Sequence, residues 1–297
     1  ISENDGIVTN GDTVTVTADI TDANTVDTVT ADASSFGAGT VDLSLDSGST
    51  YTGTFIVGSS GTATTGDQSV TVSATDAANN GGSQGVQSDG TLTVDTTEPA
   101  VSNVDVTEIN ADDIVSNGDT VNVSATVTDA NGVSSVTTDA SALGGSQNLE
   151  LTQQGSTDVY SATFDVSGAA SGQDTSVSLT VTAADTAGNE NTGLDSVQLD
   201  TTAPTIDSFS ADFDGDKTVT VTLSASEALN PDSIAVDLYN ASDNNVATLS
   251  SGDFSATQNT DEYSATYTFT EKVEESFSAN LSAASDVAGN AVAEPGL

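Results

Sequence analysis

Carboxylates and side-chain amides recur along this chain in short groups whose spacing suits cation binding. Asp129-Ala-Asn131 and Asp185-Thr-Ala-Gly-Asn189 each set a carboxylate close to an amide, and Asp95-Thr-Thr-Glu98 lies upstream with two more acids. Hard cations take about six to eight oxygen ligands from carboxylates, amides and backbone carbonyls, which these segments can supply. A second set comprises Asp200, Glu227, Asp286 and Asn290, and a third comprises Asp22, Asn24, Asp76 and Asn79. The third set is weaker, because Asp76-Ala-Ala-Asn79-Asn80 departs from the Gly-Asn pattern. The second has no Asp-Ala-Asn segment. Asp and Asn also close turns by bonding their own backbone, so residue types leave turn chemistry and metal binding both open.

Other chemistries are scarcer. The chain has no Cys and no His, which removes disulfides, thiolate zinc sites and Ser-His-Asp or Cys-His catalysis. A carboxylate-pair glycosidase is not excluded on those grounds, but without a single Trp there is little to line a sugar cleft, and no enzyme is expected. Asn122-Val-Ser124, Asn240-Ala-Ser242 and Asn280-Leu-Ser282 are acceptor sequons for N-linked glycans, modified only where exposed in a secreted protein. Asn240 is the best placed, in the turn-like Tyr239-Asn-Ala-Ser-Asp-Asn-Asn245, whereas Asn122 falls inside a strand pattern. A Lys–Asn isopeptide bond would need a buried lysine, and Lys217 and Lys272 both sit in polar, acidic surroundings. The alternating Thr13-Val-Thr-Val-Thr17 could suggest an ice-binding face, but alternating Thr is ordinary on the solvent side of a strand.

The elements that must position these groups are read from repetition. Ile7-Val-Thr-Asn-Gly-Asp12 matches Ile114-Val-Ser-Asn-Gly-Asp119, and Tyr51-Thr-Gly-Thr-Phe55 matches Tyr160-Ser-Ala-Thr-Phe164 and Tyr263-Ser-Ala-Thr-Tyr267. The period of roughly a hundred residues is the size of one β-sandwich domain. Within it, Val, Thr, Ala and Ser alternate between Gly, Asn and Asp turns, a strand signal. In the second repeat strands are expected over 101–109, 120–128, 132–138, 147–152, 160–166, 175–183 and 196–200. No segment has a helical period. The fold class is therefore all-β, with three tandem immunoglobulin-like sandwiches over 1–98, 99–203 and 204–297. Aligning the first two repeats sets Ile1 opposite Glu108, so the first unit is short of its first strand. The third stops before its last. Either the chain is a segment of a longer repeat protein, or neighbouring copies donate the missing strands.

The Asp95-Thr-Thr-Glu-Pro99 and Asp200-Thr-Thr-Ala-Pro204 junctions, with the Asp185-Thr-Ala-Gly-Asn189 and Asp286-Val-Ala-Gly-Asn290 loops, resemble bacterial-type immunoglobulin-like repeats of large surface adhesins. Val219-Thr-Val-Thr-Leu-Ser-Ala-Ser-Glu-Ala-Leu229 looks like the variant of that family with a Ser-Glu-x-Leu stretch after its second strand. The resemblance implies junctions rigidified by Ca2+. Similar domains also build haloarchaeal surface-layer glycoproteins.

Charge points to the surroundings. Two lysines face 45 acidic residues, for a formal charge of −43. Self-repulsion on that scale opposes a compact state at low ionic strength, and molar salt shortens the Debye length to about 3 Å and removes most of the penalty. A protein of brine is expected. Nucleic acid and anionic lipid need basic patches, which this chain lacks. No apolar run reaches the roughly 18–20 residues of a membrane span, so an anchor would lie outside this stretch. The expectation is a structural part of an extracellular surface layer or filament, partnered by copies of itself and by N-linked glycans, or the stalk of an adhesin whose tip lies elsewhere.

Overall fold

The computed structural model describes residues 6–85, 91–109, 114–259, 261–270 and 276–293. They form β-strands joined by turns, with short 3-10 turns at Ser34–Phe36, Ser141–Leu143 and Pro231–Ser233. No helix among the described residues is long and apolar enough to cross a membrane.

The first part of the chain contains β1 (Ile7–Val8), β2 (Thr13–Asp19), β3 (Val26–Asp32), β4 (Thr40–Asp42) and β5 (Ser44–Ser47). It continues with β6 (Thr50–Ile56), β7 (Gly66–Ser69), β8 (Thr71–Asp76), β9 (Gly81–Gly85) and β10 (Thr91–Val94). One sheet has the order β2-β6-β5, facing strands ordered β4-β3-β8-β9 and β1-β10-β7. The second part comprises β11 (Ala100–Glu108), β12 (Ile114–Val115), β13 (Thr120–Thr128), β14 (Val133–Thr138) and β15 (Leu149–Glu150). It is completed by β16 (Thr152–Gln153), β17 (Val159–Asp165), β18 (Asp174–Asp185) and β19 (Glu190–Asp200). Its sheets are β11-β13-β17-β16 and β12-β19-β18-β14-β15. The third part contains β20 (Ile206–Phe213), β21 (Thr218–Ala225), β22 (Ala235–Asn240), β23 (Asn245–Leu249), β24 (Ser255–Ala256), β25 (Glu262–Thr268) and β26 (Phe277–Ala283). Its sheets are β20-β21-β25-β24 and β23-β22-β26.

These are sandwiches because one face of each strand is apolar. In β13, Val121, Val123, Ala125 and Val127 are buried while Asn122, Ser124 and Thr126 occupy the other face. Period-two alternation puts successive side chains on opposite faces. Three separate cores result, spanning Val8–Val94, Val106–Leu199 and Val219–Val292. They are built mainly of Val, Leu and Ala, and a fully buried Val or Leu contributes about 1.5–3 kcal/mol.

Several strands differ from the sequence pattern. The expected strand over 147–152 is two short ones, β15 and β16, in different sheets. Leu151 between them is buried, so the chain crosses the core edge there. β19 begins at Glu190 rather than 196, running beside β18 all the way from the Asp185 turn. β1 and β12 were not expected. Each is two residues long and pairs in parallel with the last strand of its sandwich. Among the described residues β2 has no partner on the side where β11 lies beside β13, and β26 none on the side where β19 lies beside β18.

Candidate metal centres at the sandwich junctions

Each junction gathers carboxylates from three separate chain segments. At the first, Asp95 follows β10, Asp129 ends the β13 run and Asp185 ends β18, and one oxygen from each lies within 4.8 Å of the others. Asp95 and Asp185 are each 1% exposed and Asp129 is half-buried. At the second, Asp200, Glu227 and Asp286 make a group with the same 4.8 Å limit, and Asp286 is 2% exposed.

The positions follow from local structure. β10 and β19 deliver Asp95 and Asp200 at the pole where the next sandwich begins. The Asp185 turn is closed by Asn189 N–H donating to Asp185 Oδ1 at 2.9 Å and Asn189 Nδ2 donating to Oδ2 at 2.8 Å. Gly188, at φ 87°, supplies the left-handed residue this turn requires. Asn290 repeats both bonds on Asp286 at 2.8 and 3.0 Å. Asn131 N–H and Gly132 N–H fasten Asp129 Oδ1, at 2.7 and 3.1 Å, while Asn131 Nδ2 donates to Asp95 Oδ2 at 2.9 Å. The asparagines of the expected ligand sets thus face the carboxylates with their amide nitrogens. Those bonds fix the orientation of the acids.

Asn189 also ties in the preceding linker, donating to the backbone carbonyls of Asp95 and Thr97 at 3.2 and 3.3 Å. Asn290 makes the equivalent bond to Asp200 at 3.1 Å. Glu98 is exposed and lines an open depression of ≈ 350 Å³ beside Asp95 and Asp129, outside the three-carboxylate group.

The electrostatics of such a group are unfavourable without a cation. Unit charges about 4.8 Å apart repel by roughly 3 kcal/mol per pair at an effective dielectric of about 20. The chain holds two lysines. Lys217 Nζ donates instead to the carbonyl of Thr270 at 3.0 Å, and Lys272 lies outside the described residues. Burial, with Asp200 nearby, raises the Asp286 carboxyl above the usual carboxylate range despite its bonds from Asn290. Glu227 is raised by burial first and by Asp200 and Asp286 next. Carboxylates in this arrangement can take a hard divalent cation, using the lone pairs that their hydrogen bonds leave free.

The first sandwich has no such group among the described residues. Asp22 accepts from Asn24 N–H, an ordinary turn. Asp76 is fastened by Asn80, not Asn79: Asn80 N–H and Nδ2 donate to its two oxygens at 2.8 and 2.9 Å. Asn79, at φ 63°, takes the place of the glycine. These bonds hold the Asp76 carboxyl below its usual range.

Two contacts between sandwiches had no sequence signal. Thr9 Oγ1 donates to Asn189 Oδ1 at 2.7 Å, and Ser116 Oγ donates to the Ala288 carbonyl at 2.8 Å. Thr9 and Ser116 occupy matching places in the repeat, so the same hydroxyl position braces the supporting loop at both junctions.

No family model matches the chain. It is 46% identical over 105 residues to halomucin of Haloquadratum walsbyi, which takes in 34% of this chain and 1% of that protein. The chain therefore corresponds to a very small share of that relative's length. Among solved structures, a Ca2+-stabilised adhesin that helps an Antarctic bacterium bind ice gives a TM-score of 0.48 at 23% identity, covering 96% of this chain and 68% of that one. A 1.5-MDa bacterial ice-binding adhesin gives 0.44 at 21%, covering 97% and 91%. Both are remote resemblances.

Proposed function

We propose that this chain is a structural, non-catalytic segment of an extracellular cell-surface assembly working at high salt. Its three sandwiches, delimited near residues 98 and 203, are stiffened at both junctions by divalent cations, with Ca2+ the natural fit to all-oxygen donors. The observation that carries this reading is the convergence of three carboxylates from separate chain segments at each junction, Asp95, Asp129 and Asp185 at the first and Asp200, Glu227 and Asp286 at the second, while the one described lysine, Lys217, is bonded at Thr270. The similarity of a third of the chain to part of halomucin and the formal charge of −43 support a saline, surface setting. Copies of the same chain are the partners in a surface layer or filament.

Small-angle scattering in molar KCl, with and without a chelator, tests the stiffening. Chelation is expected to spread the distribution of end-to-end distances, and an unchanged profile would remove the cation from the account. Electron microscopy of the same sample tests assembly. Sheets or filaments are expected, while isolated rods would leave a cation-stiffened spacer, the stalk of an adhesin.

A further inference from the structure

Three sequons lie in the third and second sandwiches, and their surroundings differ sharply. Attachment of an N-linked glycan is a glycosyl transfer from a phosphate-linked sugar donor that the glycosylating host supplies. The anomeric C–O bond to phosphate breaks, the anomeric carbon bonds to Asn Nδ2, which gives up a proton, and the phosphate leaves. Transfer also depends on the hydroxyl two residues downstream. A usable sequon therefore needs a reachable amide, a free hydroxyl and backbone not locked into a sheet.

Asn122 fails on its backbone. It lies midway along β13, with β11 on one side and β17 on the other, paired to Thr107 and Thr163. Ser124, its sequon hydroxyl, is half-buried in the same doubly paired strand. Asn280 lies within β26 opposite Asp237, and its sequon hydroxyl is engaged, Ser282 Oγ donating to the Ala235 carbonyl at 3.1 Å.

Asn240 is different. Half-buried like the other two, it is the last residue of β22, paired there with Phe277, and residues 241–244 form the hairpin tip before β23. Asp243 N–H donates to the Asn240 carbonyl at 2.9 Å and Asn240 N–H to the Asn244 carbonyl at 3.0 Å, closing a tight turn. Asp243 takes the left-handed position at φ 58°. Asn240 Oδ1 accepts from Ser242 N–H at 3.0 Å and Asn244 N–H at 3.1 Å. The amide is planar, so fixing its oxygen over the turn leaves Nδ2 on the opposite branch. Among the described residues Nδ2 donates no hydrogen bond and Ser242 Oγ makes none. Ala241, Ser242, Asp243 and Asn244 are all exposed.

We propose that Asn240 is an attachment site for an N-linked glycan, and that Asn122 and Asn280 stay unmodified. The proposal rests on the extracellular reading only in requiring that the chain pass a glycosylating secretory route. β22 starts where Ala235 pairs with Ala283, three residues before Asp286, and Asn240 lies at its other end, roughly 17 Å along the strand at about 3.4 Å per residue. The two features are therefore separable.

The test is secretion of the chain from a salt-requiring, N-glycosylating host in which a reporter sequon is verified to be modified. Intact mass and peptide mapping follow. One glycan mass is expected, on the peptide containing Asn240, and Ser242→Ala should abolish it while keeping the backbone N–H that holds Asn240. Asn240→Gln should abolish it too, and an unchanged Ca2+ response in both variants keeps this separate from the junction reading. An unmodified chain beside a modified reporter would overturn the proposal, as would occupancy at Asn122 or Asn280 rivalling that at Asn240.

Discussion

Thr9 and Asn189, 180 residues apart, share a hydrogen bond of 2.7 Å, so the first sandwich grips the loop that holds the second one's acidic cluster. The same asparagine fastens Asp185 and the linker carbonyls of Asp95 and Thr97. One side chain thereby touches the cluster, the linker and the first sandwich.

Asn189→Ala strips those partners at once. Leaving buried polar groups unsatisfied costs roughly 1–3 kcal/mol, and a loss of about 2 kcal/mol is expected in denaturant melts at constant molar salt. Thr9→Val removes a single half-exposed bond and should cost under about 1 kcal/mol. In the double variant the Thr9 effect should vanish, because its partner is already gone; full additivity would deny the coupling.

Glu227 carries a pH signature. Its carboxyl is raised by burial and by Asp200 and Asp286, and Asp286 is raised in turn. A carboxylate raised in the folded state binds its proton more tightly there, so its contribution is fully present below the unfolded pKa and is lost as pH rises through the folded value. In cation-free protein, Glu227→Gln should therefore raise the melting temperature at pH 7. That gain should shrink as pH falls toward the ordinary Glu range, where the wild-type side chain is neutral too. Added Ca2+ should reverse the order of the two proteins at pH 7. A gain independent of pH would assign it to packing.

Tyr263 is nearly buried, and its hydroxyl bridges Leu229 twice, accepting from the N–H at 2.8 Å and donating to the carbonyl at 2.9 Å. Tyr263→Phe leaves that buried backbone pair without partners and should cost about 1–3 kcal/mol. Tyr51 and Tyr160 hold the matching repeat positions but are only half-buried, so their Phe variants should be milder. Equal losses at all three would contradict this.

How much of this was legible depended on how local each signal was. β13 matches the expected strand because Val121, Val123, Ala125 and Val127 alternate with polar residues, and alternation is a local property. β1 and β12 are too short to show a period and exist only because a distant last strand offers its edge. The β15–β16 step turned on Leu151, whose burial depends on the opposite sheet. At the junctions, Asp129, Asp185, Asp200 and Asp286 stood out through their repeated motifs. Asn79 sits at the positive φ that Gly takes in the other loops, which Asn tolerates, so the amide bonded to Asp76 is that of Asn80, one residue on. Thr9 and Ser116 could not be picked out, since a single hydroxyl in a chain rich in Ser and Thr carries no mark of the loop it will meet.

The most direct test of the junction account is calorimetric titration of Ca2+ into chelator-treated chain in molar KCl. Two saturable sites per chain are expected, one abolished by Asp185→Asn and the other by Asp286→Asn, with Asp76→Asn changing neither. Absence of saturable binding into the millimolar range, or binding that survives both junction substitutions together, would contradict it.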